Sequence, residues 1–186
     1  RVSLTPGFLA AMQDPTFAGH VRDVVETGLF LSRQRYGLAP SLQVGQRYSR
    51  KDALRLLNWE RSEYSTVYGY KVDHDTGTCP IFVTYHKHEH VEATVAYDDE
   101  FLDESTMRWF TRSRRTLASG EVRALVEQTV VPHLFVKRDD TEGRDFLYLG
   151  TAAACDAGQD TMPDRNGDPV PVVTMRLVLD RPVERG

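Results

Sequence analysis

The sequence predicts an α+β protein: a mainly antiparallel sheet curled into a pseudo-barrel, with a helical lead-in and two or so short helices. Three observations carry this. From Leu4 to Tyr36 the apolar residues recur at helical intervals. Beyond residue 78 they recur in six strand-like runs rich in β-branched and aromatic side chains. Turns join those runs, rather than repeated helical crossovers, which points to an antiparallel sheet closing on itself.

Taken in order, Phe8, Leu9 and Met12 form one helical pattern and Phe17, Val21, Val24, Val25, Leu29 and Leu31 a second, separated at Asp14-Pro15. Residues 1–40 are therefore expected to be a helical lead-in and residues 41–186 the sheet domain. A short strand follows Gly45. Ser49, with Asp52 three residues on, is spaced to cap a helix that starts near Arg50 and places Ala53, Leu54, Leu56 and Leu57 on its apolar side. The segment 58–78 is a polar loop rich in Tyr and punctuated by Gly69 and Gly77. Strands are expected over 81–86, 93–97, 107–111, 134–137, 146–153 and 170–179. A helix over 120–128 interrupts them, with Val122, Leu125 and Val126 on one side.

Composition narrows the function. With 186 residues, 40% of them hydrophobic, the chain can bury a core of its own. No apolar run approaches the roughly 18 residues that span a bilayer, and no signal-peptide pattern opens the chain, so a cytoplasmic protein without a membrane partner is expected. The first residue is Arg1 rather than Met, which suggests a segment of a longer polypeptide or a processed product. Cys79 and Cys155 fall on expected strands and read as reduced, packed thiols. The formal net charge of −4 argues against attraction to phosphates over the whole surface, so any nucleic-acid binding has to be local.

Hydrolytic chemistry finds little support. None of the four lysines follows a glycine, as a phosphate-cradling P-loop requires. None has an acidic residue two positions before it, the pattern of common metal-dependent nucleases, and no Gly-x-Ser-x-Gly elbow is present. His86, His88 and His90 alternate along a strand and could converge on a metal ion. Side chains two apart stand roughly 6 to 7 Å apart, however, which suits two ligands better than three. A solvated turn is the plainer reading, and no metal or other cofactor is expected.

The binding candidates are clearer. Arg108, Arg112, Arg114 and Arg115 lie in a stretch, 105–120, that holds no acidic residue and reads as a local phosphate-binding patch; a solvated hairpin face is the alternative. Tyr48, Trp59, Tyr64, Tyr68, Tyr70, Tyr85, Trp109 and Phe110 could stack bases or fill a core. Tyr64, Tyr68 and Tyr70 sit in a Gly-punctuated polar segment, where a pocket rim is easier to build than a core. Within the acidic run 98–104, Asp98 follows Tyr97 at a strand end, where a carboxylate could accept a hydrogen bond from a base amino group.

These residues also carry a resemblance. The succession Tyr48-Ser-Arg50 with Asp52, Leu57-Asn58-Trp59, Tyr68-Gly-Tyr-Lys71, Phe82-Val-Thr-Tyr-His-Lys87, Tyr97-Asp98, Trp109 with Ser113, His133-Leu-Phe-Val136 and Phe146-Leu-Tyr-Leu-Gly150 resembles an uncharacterised domain family. That family lies at the C-terminal end of bacterial superfamily 2 (DEAD/DEAH-type) helicase-like proteins, several of them linked to restriction or phage defence. The match runs from about residue 44 to 180. More loosely, the pattern is similar to the PUA-like and SRA-like pseudo-barrels that read modified or flipped bases.

The resemblance implies a non-catalytic accessory domain that binds DNA and works with a helicase core in the same or a partner chain. In this reading Asn58, Trp59, Tyr68, Tyr70 and Asp98 hold a base, while Arg50, Lys71, Lys87, Arg112, Arg114 and Arg115 hold phosphates. No catalytic residue is assigned. The alternatives are a protein-docking domain of the helicase and a metal-dependent nuclease using His86 or Asp98.

Overall fold

The computed structural model of the chain describes residues 3–36, 41–61, 63–86, 100–164 and 166–183. The chain divides into two compact units, residues 1–40 and 41–186. The first holds helices α1 (Pro6–Ala11) and α2 (Pro15–Tyr36). Thr5 caps α1 by accepting from the Phe8 N–H, and the Asp14 carboxylate accepts from Thr16 and Phe17 at the start of α2. The expected break at Asp14-Pro15 is therefore a helix stop followed at once by a helix start.

Among the described residues the second unit is a seven-stranded curled sheet with few helices. Its strands are β1 (Arg47–Tyr48), β2 (Thr78–His86), β3 (Glu100–Phe101), β4 (Thr106–Phe110), β5 (Val131–Asp139), β6 (Phe146–Pro163) and β7 (Pro169–Leu179). Helix α3 (Arg50–Leu56) follows β1 and helix α4 (Gly120–Val126) precedes β5. The order across the sheet is β2-β5-β6-β7-β4-β3, with β1 added alongside β6. The fold class expected from the sequence is the one found. One pairing departs from the antiparallel expectation: β2 and β5 run parallel, from Thr78↔Val131 to His86↔Asp139. A parallel pair needs a crossover, and the chain between these strands, carrying β3, β4 and α4, supplies it. The strand expected over 93–97 lies outside the described residues.

Strand periodicity sorts the side chains into two layers. On β2, Cys79, Ile81 and Val83 enter a core with Met107 and Trp109 of β4, Leu134 and Val136 of β5, and Val122 and Leu125 of α4. The intervening Phe82 faces the other way and stacks on Phe135 of β5 at 4.7 Å. Phe146, Tyr148 and the fully buried Tyr48 complete this second, aromatic layer, with T-shaped contacts of 5.1 Å for Phe82–Phe146 and 6.4 Å for Tyr48–Tyr148. Each cysteine is a free thiol, as expected; burial pushes the Cys79 thiol well above its ordinary pKa.

His133 belongs to the aromatic layer too, stacked on Tyr148 and sharing a 2.9 Å hydrogen bond with its hydroxyl. Burial lowers its pKa from 6.5 to about 4, so the folded protein disfavours the imidazolium. Stability from this group is complete above pH 6.5 and is lost as the pH falls toward 4, where the unfolded chain binds the proton and the folded one does not. Urea titrations across that window are expected to show a loss of up to about 3 kcal/mol in the wild type. The loss should be much smaller in His133→Gln.

Candidate nucleic-acid interface

Curling the sheet brings the segment ahead of β2 against the end of β4, and the candidate site lies along that seam. Gly69, at φ +76°, makes the turn that lets its carbonyl accept from the Phe82 N–H at 2.7 Å and lays Tyr70 beside Ile81. Tyr70 then meets Trp109 of β4 edge-on at 4.9 Å. Above this contact opens a cavity of about 430 Å³, walled by Tyr70, Phe82, Trp109 and Phe110, with Thr84 and Ser113 offering hydroxyls and Arg50 and Arg112 contributing guanidinium groups.

A second, wider cavity of about 890 Å³ adjoins it, with Arg50 and Gly69 lining both. Ser49 starts α3 by accepting from the Asp52 N–H at 3.1 Å and donating to the Asp52 carboxylate at 2.8 Å. Arg50, the first residue of that helix, is thereby aimed over the aromatic layer, 4.9 Å from the Phe146 ring centroid and 5.4 Å from that of Phe82. Lys137 reaches the same cavity because it is in phase with His133 and Phe135 on β5. It is 8% exposed, lies 5.0 Å from the Phe146 centroid and donates to the Gly143 carbonyl at 3.3 Å. Lys51, Arg144, Tyr64 and the exposed Tyr68 form the rim.

The residues expected to stack do not come together. Tyr68 is 71% exposed at the rim of the wide cavity, while Tyr70 is 1% exposed and walls the narrow one. Trp59 donates from Nε1 to Thr78 at 2.9 Å and lines a third, acidic hollow with Asn58, Glu60, Glu63, Asp73 and Asp75. Asn58 has a local structural role that its sequence context conceals. At φ +60° it is the left-handed residue ending α3, with its own N–H on the Arg55 carbonyl and that of Trp59 on Leu54.

The cationic patch is likewise engaged within the fold. Arg108 pairs with Glu100 at 3.0 Å, Arg114 with Asp164 at 3.7 Å, and Arg112 and Arg115 both with Glu121. Lys71 pairs with Glu63 and donates to Thr66. Within the acidic run, Asp103 accepts from the Ser105 and Thr106 N–H groups at the turn into β4. Lys87, Asp98, His88 and His90 lie outside the described residues. Sequence reading missed Lys51, Phe82, Lys137, Arg144 and Phe146; the available signal was a lysine in phase with buried β5 residues.

The model for a domain of unknown function, DUF3427, matches residues 42–186. The chain belongs to the DUF3427 family. A search among curated proteins finds no match. In fold, this DUF3427 chain is similar to the SRA domain of SUVH5 in its complex with hemimethylated CG DNA. That likeness has a TM-score of 0.50 and 13% identity over 80% of this chain and 97% of that one. It is also similar to AspBHI, a DNA modification-dependent restriction endonuclease, with a TM-score of 0.53 and 11% identity over 77% of this chain and 43% of that one. At these identities the likeness is one of fold, and the SRA-like architecture expected from the sequence is the one present.

The Glu121 carboxylate fixes the seam. Burial pushes its pKa up, but hydrogen bonds from Tyr70 at 2.7 Å, from Arg115 and from Arg112 at 2.6 Å outweigh that and hold it below the ordinary range. Glu121→Ala leaves a phenol and two guanidinium groups without their acceptor. Because both arginines are about one-third exposed, the expected destabilisation is about 2 kcal/mol rather than the larger value of a fully buried pair. Chemical denaturation at neutral pH measures it.

Proposed function

We propose that this DUF3427 domain is a non-catalytic DNA-binding module that holds a modified or extruded nucleotide in the seam cavity and so tells a helicase-type partner where to act. One observation carries the reading: an aromatic-walled cavity of ligand size adjoins a cationic one on an SRA-like sheet. Tyr70, Phe82 and Trp109 form the buried wall, while Phe110 is the partly exposed ring that can stack on a base, a contact worth roughly 1 to 3 kcal/mol. Thr84 and Ser113 are the hydroxyls available to its edge. Arg50 sits between this cavity and the cationic one, in place to meet the nucleotide backbone.

The fold neighbours are a methylated-DNA complex and a modification-dependent nuclease, which supports the choice of ligand. The helicase partner rests on the resemblance of the sequence motifs, and the non-catalytic role on the missing lysine patterns described above. A second reading, docking of the helical unit on a protein partner, is favoured by the exposed Val24, Val25, Leu29, Phe30 and Leu31 of α2.

The test is a gel-shift panel of single-stranded, duplex, methylated, hydroxymethylated and phosphorothioate DNA at fixed salt, with cleavage followed in parallel. One modified probe is expected to bind best and none to be cut. Ser113→Trp, an exposed position on the cavity wall, is expected to weaken that probe about tenfold, the loss of one good stacking or edge contact, with the unfolding midpoint unchanged. Equal affinity for every probe and indifference to Ser113→Trp would defeat base reading. No binding to any probe, with retention of the helicase core, would favour docking.

A further inference from the structure

We infer that Tyr68 stacks on the base next to the one held in the seam cavity, so that the domain grips two successive nucleotides of one DNA strand. This rests on the nucleotide-binding reading and extends it to a second base and to the wide cavity.

A single exposed tyrosine is ordinary on a protein surface. Tyr68 differs because the loop that carries it is tied down on both sides. Ahead of it, Thr66 donates from its N–H and its hydroxyl to the Glu63 carbonyl, each at 2.9 Å, and Lys71 donates to the Thr66 hydroxyl at 3.1 Å. Val67 is 4% exposed. After it, the Gly69 carbonyl accepts from the Phe82 N–H, and Tyr70 is buried against Trp109. The backbone is held while the ring stays 71% exposed. A ring presented in this way loses little further freedom on binding and has most of its surface left to cover.

The ring also has the right neighbours. Tyr64, 40% exposed, lines the same cavity, and the Lys51 ammonium lies 5.7 Å from its centroid. Aromatic rings beside cations are the surface on which single strands stack, because every base has a π-face and the strand carries negative charge. The cavity volume, about 890 Å³, lies in the range of small-molecule sites.

The spacing suits adjacent nucleotides. Tyr68 and Tyr70 flank Gly69 and line different cavities, and two residue steps span about 7 Å at most. Successive nucleotides of a stacked strand rise about 3.4 Å, and extruding one base spreads that step further. Gly69 and Arg50 line both cavities. Apart from the chain neighbours of Gly69, no described atom lies within 4 Å of the point where a side chain on it would begin, so the border between the cavities is open for a strand to cross. Extrusion of one base also strips its neighbour of a stacking face, and Tyr68 is placed to restore it.

The test uses the full chain with a single-stranded oligodeoxynucleotide carrying the modified base selected by the gel-shift panel, and the same strand with an abasic site on its 5′ or its 3′ side. An abasic site on one of the two sides is expected to weaken binding about tenfold. Tyr68→Ala should weaken the intact strand by the same factor and leave the abasic strand no weaker, because both changes remove one contact. Tyr68→Phe keeps the ring and should bind as the wild type does. Both variants should melt with the wild type, since the ring is largely exposed. The fluorescence of 2-aminopurine at the sensitive flank should be quenched on binding to the wild type and to Tyr68→Phe, but not to Tyr68→Ala. Equal losses on intact and abasic strands, or no loss at all in Tyr68→Ala, overturn the second base site even where Ser113→Trp still weakens the probe and base reading stands. Loss in Tyr68→Ala alongside indifference to Ser113→Trp upholds stacking on Tyr68 and overturns the seam cavity as the place of the modified base. A strand that the wild type does not bind overturns the inference outright.

Discussion

The carboxylate of Glu121 is the constraint on which the site's geometry depends. It accepts from a tyrosine ahead of β2 and from two arginines after β4, so one side chain of α4 ties together the segments that meet at the seam of the curled sheet. Its three donors hold its pKa low despite burial, while burial, with the same contact, pushes the Tyr70 phenol up and keeps it a donor. Arg112, fixed by this carboxylate, lies 4.7 Å over the Tyr70 ring. The cavity wall is thus set by electrostatics as well as by packing, which favours the rigid presentation that binding a flat ligand requires.

The two layers divide the work of the fold. One side of β2 and β5 is aliphatic and is covered by α4, and it supplies ordinary burial. The other side is aromatic and carries Arg50 and Lys137 over its rings. Aromatic faces tolerate a cation better than aliphatic ones do, because the ring quadrupole partly replaces the lost water. An aromatic layer is therefore the surface on which a fold can hold positive charge with little solvent and still stay packed.

Much of the architecture was legible because it rests on local rules. The Asp14-Pro15 break, the Ser49 cap, α4 and the strands within β2, β4, β5, β6 and β7 follow from capping chemistry and from periods of 3.6 and 2.0. The parallel pairing of β2 with β5 was not legible, since parallel order depends on where a crossover lands rather than on either strand's sequence. The capping role of Asn58 was hidden for a related reason: the left-handed residue that closes a helix and a residue that reads a base are both polar, exposed and placed in a loop. Trp59 and Tyr70 read as one stacking set because they are near in sequence, but the turn at Gly69 and the end of α3 send them to different hollows.

Charge shows the same limit most clearly. The arginines at 108, 112, 114 and 115 lie in a stretch without acids, yet each finds a carboxylate from elsewhere in the chain, at Glu100, Glu121 or Asp164. The cations of the wide cavity show the reverse. They come from three separate places in the sequence, at 50–51, 137 and 144, each with acidic residues close by, and they converge on a wall that holds no carboxylate among the described residues. A run of basic residues is a surface that folding can neutralise. Which cations stay available on a surface is decided by the carboxylates that distant segments bring to it, and that pairing is written in the fold rather than in any local run of residues.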